Sequence, residues 1–310
     1  MTKVFIDGKA GTTGLKIYDR LSSRADIELL TLPEELRKDT EARRKMLNSA
    51  DIAFLCLPDA AAREAVSLVD NPNTVLIDTS TAHRTNPDWA YGFPELSESF
   101  FEKVRTSKRI AVPGCHASGF IALVYPLVEA GAISKDVLLT CFSLTGYSGG
   151  GKQMIADYES GERDISLDSP RQYGTAQTHK HLPEMTVISG THNAPVFCPI
   201  VADYFCGMEV TVPLHKSQLC SGFDINSIKE IYKAKYNDAM VSYRENTDGF
   251  LAANILAEAD NMQISVEGND ERILLIARYD NLGKGASGAA VECMNISLGI
   301  DKTTSLVIGK

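Results

Sequence analysis

The stretch Lys3-Val4-Phe5-Ile6-Asp7-Gly8-Lys9-Ala10-Gly11-Thr12-Thr13-Gly14 decides how the first third of this 310-residue chain is read. An apolar strand-like run over 3–7 stops at a glycine, and glycines then recur at every third position before a helix candidate over 12–23. The spacing is G-x-x-G-x-x-G rather than G-x-G-x-x-G, yet the physical logic is the same. Without a Cβ the backbone approaches a pyrophosphate closely, and the N–H groups that open a helix face its charge. Set between a first strand and a first helix, Gly8, Gly11, Thr12, Thr13 and Gly14 read as a dinucleotide-phosphate loop; the alternative is an ordinary tight turn.

Working outward, strand candidates follow at 27–32, 51–57, 74–78 and 109–112, with helix candidates at 40–48 and 60–69. Nearly continuous apolar strands separated by helices describe a parallel sheet covered on both faces, a Rossmann-like doubly wound α/β domain. Beyond residue 115 the rhythm changes. Strand candidates at 137–145, 187–189, 209–213, 263–266 and 273–279 are widely spaced around one helix near 225–236, which predicts an α+β domain with a mixed or antiparallel sheet. A last helix is expected over 285–298 and a short strand over 305–308.

With 44% hydrophobic residues the chain can bury a large core, and a net charge of −9 argues against a nucleic-acid or anionic-membrane surface. Any anionic substrate must then be held by local Arg and Lys. No apolar run approaches a membrane span, no signal-peptide pattern opens the chain, and the seven cysteines form no C-x-x-C pair. A reducing cytoplasm is expected, without structural zinc, and Cys56, Cys141 and Cys293 read as packing residues.

Cys115 stands apart. In Val112-Pro113-Gly114-Cys115-His116 it occupies a strand-to-helix corner, where unpaired amides and the helix dipole favour a thiolate. It is therefore a candidate nucleophile, against the alternative of a small buried hydrophobe. The His116 side chain is expected to diverge from the sulfur, so it is not taken as the base. The second strand ends in Leu30-Thr31-Leu32-Pro33 without the carboxylate that would hold an NAD ribose, and Arg37 and Lys38 follow. These two read as contacts to a 2′-phosphate, hence NADP, or as a solvated helix start.

Four further segments carry polar chemistry. Gly146-Tyr147-Ser148-Gly149-Gly150-Gly151-Lys152-Gln153 nearly spells a P-loop, but Gln153 lacks the hydroxyl that holds Mg²⁺, leaving an amide-rich, anion-binding loop. His179-Lys180-His181 places two imidazoles on one face if the segment is extended; a catalytic pair, a metal half-site and ordinary histidines all stay open. Further ligands would come from His83, His192 or His215, none at a diagnostic spacing. Asp78-Thr79-Ser80-Thr81-Ala82-His83-Arg84 closes the fourth strand on the edge where ligands collect, with Arg84 suited to fork a phosphate or carboxylate. Asn281-Leu282-Gly283-Lys284-Gly285-Ala286-Ser287-Gly288-Ala289 is either C-terminal packing or another anion-facing helix start.

These segments, with Tyr91-Gly92-Phe93-Pro94-Glu95-Leu96, occur in the order found in N-acetyl-γ-glutamyl-phosphate reductases. The chain resembles the shorter-chain (type 2) class of that family, within the semialdehyde dehydrogenase superfamily. His116 matches the shorter class, where the longer class tends to have an aromatic residue after the cysteine. The resemblance implies an NADP(H)-dependent acyl-phosphate reductase of arginine biosynthesis, related to aspartate-semialdehyde dehydrogenase and acting without a metal. It also implies that an NADP-binding domain, 1–114, is completed by the C-terminal helix at about 285–310. Residues 115–284 would then form a catalytic domain that also builds a homodimer or homotetramer.

By the same resemblance Cys115 carries the acyl group as a thioester and His181 is its acid–base partner. Arg84, His179, Ser148, Gly149 and Lys152 surround the acyl-phosphate substrate. Ser80 and Asn281 join Gly8, Gly11, Thr12, Thr13, Gly14, Arg37 and Lys38 around the cofactor. Alternatives are the same chemistry on an aspartyl or aminoadipyl phosphate, a cysteine hydrolase or acyltransferase, and a silent NADPH-sensing regulator.

Overall fold

The computed structural model describes residues 1–246 and 249–309. They divide into two compact units, Met1–Gly114 with Ala286–Leu306, and Cys115–Gly285 with the last residues from Val307. The first unit alternates β1 (Thr2–Asp7), α1 (Thr12–Leu21), β2 (Ile27–Leu30), α2 (Thr40–Ser49), β3 (Ile52–Leu55), α3 (Asp59–Ser67) and β4 (Val75–Asp78). It continues through β5 (Ala90–Tyr91), α4 (Glu98–Thr106) and β6 (Arg109–Ala111). The strands form one all-parallel sheet in the order β2-β1-β3-β4-β6-β5.

Strand periodicity explains why these segments read as continuously apolar: successive side chains enter opposite layers. Val4, Ile6, Ile52, Phe54 and Ile77 pack with Ile17 and Leu21 of α1 and Val104 of α4, whereas Phe5, Ala53, Leu55 and Leu76 pack with Leu47 of α2 and Ala65 of α3.

The second unit holds α5 (Cys115–Glu129), β7 (Thr140–Gly146), α6 (Gly151–Glu159), β8 (Arg171–Gln172), α7 (Leu182–Ser189), β9 (Val196–Ala202) and β10 (Met208–His215). Then follow α8 (Ile225–Lys235), β11 (Val241–Tyr243), β12 (Met262–Gly268) and β13 (Arg272–Tyr279). Its sheet is mixed, in the order β11-β12-β13-β10-β7-β9-β8. A π-helical turn, Gly283–Ser287, leads into α9 (Gly288–Ser297), which belongs to the first unit and packs on α1, α4 and β4.

Three local expectations are corrected. Residues 187–189 end the helix α7 rather than form a strand: Pro183 sits in its first turn and Gly190, at φ +78°, closes it. A three-residue apolar run carries no period by which to tell the two apart. Residues 305–308 form no strand either. There the chain is tied to Asp260, whose carboxylate accepts from the Val307 N–H at 2.9 Å and whose own N–H donates to the Val307 carbonyl at 2.7 Å. The expected last helix is π-helical at its start and α-helical only from Gly288. Strand β9 escaped notice because Pro199 interrupts its donors; the Pro199 carbonyl instead accepts from the Tyr173 N–H, at 3.0 Å.

Helix α5 is buried over most of its length although Pro126 lies inside it. A proline there removes the N–H that would serve the Ala122 carbonyl four residues earlier. The Tyr236 hydroxyl, just past α8, donates to that carbonyl at 2.7 Å, and the Tyr232 hydroxyl donates to the next one, Leu123. Both tyrosines are buried and stacked, with centroids 6.1 Å apart. Tyr236→Phe should therefore destabilise the protein by about 1–3 kcal/mol, the cost of an unserved buried carbonyl. Urea unfolding checks this, and Pro126→Ala in the same background should recover part of the loss by restoring the helical N–H.

Candidate active site

Cys115 is the first residue of α5, half-buried, and its backbone is gripped from two sides. The fully buried Tyr279, at the end of β13, donates its hydroxyl hydrogen to the Cys115 carbonyl and accepts from the Gly119 N–H at 3.0 Å. These are the carbonyl and amide that close a first α-helical turn, so one phenol bridges the helix start. Gly119 is what admits it: a Cβ there would lie 2.7 Å from the Tyr279 hydroxyl oxygen. Gly285, in the π-turn, approaches from the other side, where a Cβ would meet the Cys115 Cβ at 3.1 Å.

Three imidazoles gather beside this corner. The His116 ring centroid is 5.7 Å from both His179 and His181, and those two rings stand 4.8 Å apart at 82°. His179 and His181 meet through a turn rather than an extended segment. His181 is the residue preceding α7, in helical conformation, and its N–H donates to His179 Nδ1 at 3.2 Å. Burial, with Lys180 next in effect, lowers the His179 pKa from its ordinary value and favours a neutral ring. The buried His116 ring has Nδ1 2.7 Å from Ser143 Oγ and Nε2 2.6 Å from the Tyr173 hydroxyl. Ser143, Tyr173 and Tyr279 went unremarked in the sequence. None carries a local motif, and their strands or loops reach α5 only in the fold.

The other histidines lie elsewhere: His83 Nδ1 on Asp78 at 2.7 Å in the first unit, His192 on Asp136 at 2.8 Å, and His215 capping the 3-10 turn Lys216–Gln218. Among the described residues no group of three His, Cys, Asp or Glu is arranged to hold a metal ion.

In the loop after β7, Ser148 is buried and its Oγ accepts from Asn281 Nδ2 at 2.9 Å, while the Asn281 oxygen accepts from the Gly207 N–H at 2.9 Å. Asn281 thus braces this loop, which Gly151 turns at φ +77°. A Cβ on Gly149 would lie 3.3 Å from the Asn281 amide nitrogen, and Lys152 is exposed in the first turn of α6.

Within the first unit a cavity of about 510 Å³ runs along the ends of β1 and β2. Gly8, Lys9, Gly11, Tyr18, Arg37 and Lys38 are among its walls, and the Lys9 ammonium lies 3.2 Å over the Tyr18 ring. The glycines fit a close-approach loop: a Cβ on Gly8 would fall 2.2 Å from the Cys56 carbonyl oxygen, and one on Gly14 2.6 Å from that of Gly8. Gly8 also sits at φ +88°. Thr12, Thr13 and Gly14 form the first turn of α1 but do not line the cavity. Neither does Ser80, whose N–H and hydroxyl both donate to the buried Asp78 carboxylate. Beneath the loop, Asp7 is paired with Arg43 at 3.0 Å. Arg84 is buried, with Nε donating to the Val112 carbonyl at 2.8 Å and Nη2 to that of Thr79 at 2.9 Å, so it fastens the end of β6 to the turn after β4.

The family model for the semialdehyde dehydrogenase dimerisation domain matches residues 115–281, and that for the semialdehyde dehydrogenase NAD binding domain matches residues 30–104. Aspartate semialdehyde dehydrogenase II from Vibrio cholerae shares the fold at TM-score 0.73 and 16% identity, over 96% of this chain and 99% of that one. The enzyme from Candida albicans, solved with NADP, does so at TM-score 0.68 and 15% identity, over 96% and 98%. The fold is thus that of the semialdehyde dehydrogenases. N-acetyl-γ-glutamyl-phosphate reductase from Rhizobium etli is 44% identical over 305 residues, covering 96% of this chain and 98% of that protein. N-acetyl-γ-glutamyl-phosphate reductase 2 from Nostoc sp. is 43% identical over 98% and 99%. The chain belongs to the N-acetyl-γ-glutamyl-phosphate reductase family, as its ordered motifs led one to expect.

Proposed function

We propose that the protein reduces N-acetyl-γ-glutamyl phosphate to N-acetylglutamate semialdehyde with release of phosphate, through a thioester on Cys115. The observation that carries this reading is the meeting of the Cys115 helix start with the His179–His181 turn, more than sixty residues away in sequence, in a family whose curated members bear that activity's name. The Cys115 thiolate attacks the γ-acyl carbon, a C–S bond forms, and the C–O bond to phosphate breaks. Reduction turns the thioester into a thiohemiacetal, whose hydroxyl loses its proton as the C–S bond breaks to free the aldehyde. His181 takes the thiol proton at the outset and manages the thiohemiacetal proton, with His179 beside the substrate.

When bound, NADPH supplies the hydride. The amides of Gly8, Gly11, Thr12, Thr13 and Gly14 suit its pyrophosphate, and Arg37 and Lys38 on the cavity wall suit a 2′-phosphate, Arg37 being paired at 2.5 Å with Glu34, which lines the same cavity. Ser148, Gly149 and Lys152 are proposed around the acyl group. Arg84 is proposed at the substrate, and Ser80 and Asn281 at the cofactor. A cytoplasmic setting suits the cysteines, none of which is disulfide-bonded; no described helix is long and apolar enough to cross a membrane.

The protein is also proposed to act as a homodimer or homotetramer. The outer face of the second sheet presents Phe142, 42% exposed, and Leu274, 40% exposed, with Leu144 and Ile200 half-buried in register between β7 and β9. An open apolar sheet face suits a second copy of the chain. Phe142→Asp should shift the sedimentation coefficient toward the monomer; an unchanged oligomer would put the interface elsewhere.

Phosphate-dependent NADP reduction with N-acetylglutamate semialdehyde tests the chemistry. Cys115→Ser should lose several orders of magnitude in kcat, since a hydroxyl ionises far less than a thiol. His181→Asn should lose about 10²–10⁴-fold with NADPH affinity little changed. Retention of most activity by either variant would overturn that residue's role. For the cofactor, the Arg37→Glu/Lys38→Glu pair should weaken NADPH binding at least about tenfold while leaving NADH nearly unchanged, read by fluorescence titration. Equal losses for both cofactors would remove these residues from the 2′-phosphate.

A further inference from the structure

The glycine loop carries a lysine that the chemistry above leaves unused. In Gly8-Lys9-Ala10-Gly11 the backbone of Lys9 is fixed from two sides. Gly8 turns the chain at φ +88°, and Gly14 of α1 lies so close that a Cβ there would fall 2.9 Å from the Lys9 Cα. From this fixed point the half-buried side chain lays its ammonium 3.2 Å over the Tyr18 ring. Tyr18 stands six residues past Thr12, the first residue of α1, or about 9 Å along the helix axis. The positive charge is thus drawn away from the helix start, where the loop amides gather. It sits instead on the stretch of cavity wall that Tyr18 shares with Leu29, Leu30 and Thr31, at the end of β2. In dinucleotide-binding sheets that strand end is where the adenosine ribose is read.

The nature of the seat matters. An aromatic face attracts an ammonium without neutralising it, as a carboxylate would. Lys9 makes no ion pair with a described carboxylate. Arg37, on the same wall, is paired at 2.5 Å with Glu34, which also lines the cavity. Glu34 therefore engages the guanidinium and sets a negative charge on the wall that an anion must face. Both side chains of that pair are more than half exposed, so the pair is weak and easily opened. Lys38 is exposed as well. Of Lys9, Arg37 and Lys38, Lys9 is the one with a pinned backbone and a seated head group. A charge-assisted bond to phosphate is stronger than a half-exposed cation–π contact, so a phosphate can draw the ammonium off the ring.

We propose that Lys9 reads the 2′-phosphate of NADPH, with Tyr18 holding its ammonium ready on the cavity wall and Glu34 opposing the same phosphate. This rests on NADPH being the cofactor, as above. The amides of Gly8 and Gly11 keep the pyrophosphate, and Lys9 decides between the phosphorylated and the plain ribose.

Isothermal titration of the full-length protein with NADPH, NADH and adenosine 2′,5′-bisphosphate tests this without any turnover. Lys9→Met keeps the length of the stem and removes the charge. It should weaken NADPH and the bisphosphate about 10–100-fold while changing NADH less than about threefold. Lys9→Arg, which keeps the charge, should hold NADPH within about fivefold of the unaltered protein. Glu34→Gln removes the opposing charge and releases Arg37, and should tighten NADPH about two- to fivefold. Equal losses of NADPH and NADH in Lys9→Met would place the ammonium on a phosphate common to both, and an unchanged NADPH affinity would remove it from the cofactor; either result overturns the proposal. An unaltered protein that binds no NADPH would refute the cofactor reading and this proposal with it.

Discussion

The hydroxyl of Tyr279 inserted at the start of α5 is the interaction on which the rest of the second unit depends. It ties the carbonyl of Cys115 and the amide of Gly119 to the end of β13, so the position of the sulfur is referred to the sheet and not to a loop. Gly119 leaves room for the phenol, and Gly285 leaves room for Cys115 itself. Two glycines and one tyrosine, spread over 166 positions of sequence, thereby hold the cysteine backbone in one place.

A second constraint is the satisfaction of buried polar groups around that helix. Pro126 deprives Ala122 of its helical donor, and a tyrosine beyond α8 serves it. His116 would be costly as a buried polar ring, and two hydroxyls serve its nitrogens. In each case a side chain distant in sequence completes a hydrogen bond that the helix leaves open. The site is accordingly built of neutral, hydrogen-bonded groups in which burial keeps His116 and His179 unprotonated.

The first unit follows a simpler rule. Its parallel strands are apolar on both faces because two separate helix layers cover them, and its glycine loop is short of Cβ atoms because backbone carbonyls lie where those atoms would go. Charge enters at the rim, with Arg37 and Lys38 on the cavity wall, while the Asp7–Arg43 pair is buried under the loop.

The α/β alternation, the glycine loop and the corner that holds Cys115 were legible in the sequence because each rests on local physics: strand periodicity, a missing Cβ, and the unpaired amides of a helix start. The family followed from the order of such local motifs along the chain. Helix α7 and the tether at 307–309 were misread because a few apolar residues carry no period, and their state is decided by Gly190 and by Asp260 and Asn261. Only the tertiary structure set Tyr279 on the first turn of α5, Tyr173 and Ser143 on His116, and Asn281 on Ser148. Each is a contact between residues far apart in the chain, made by side chains whose type is common and whose meaning comes from the buried polar groups that they serve.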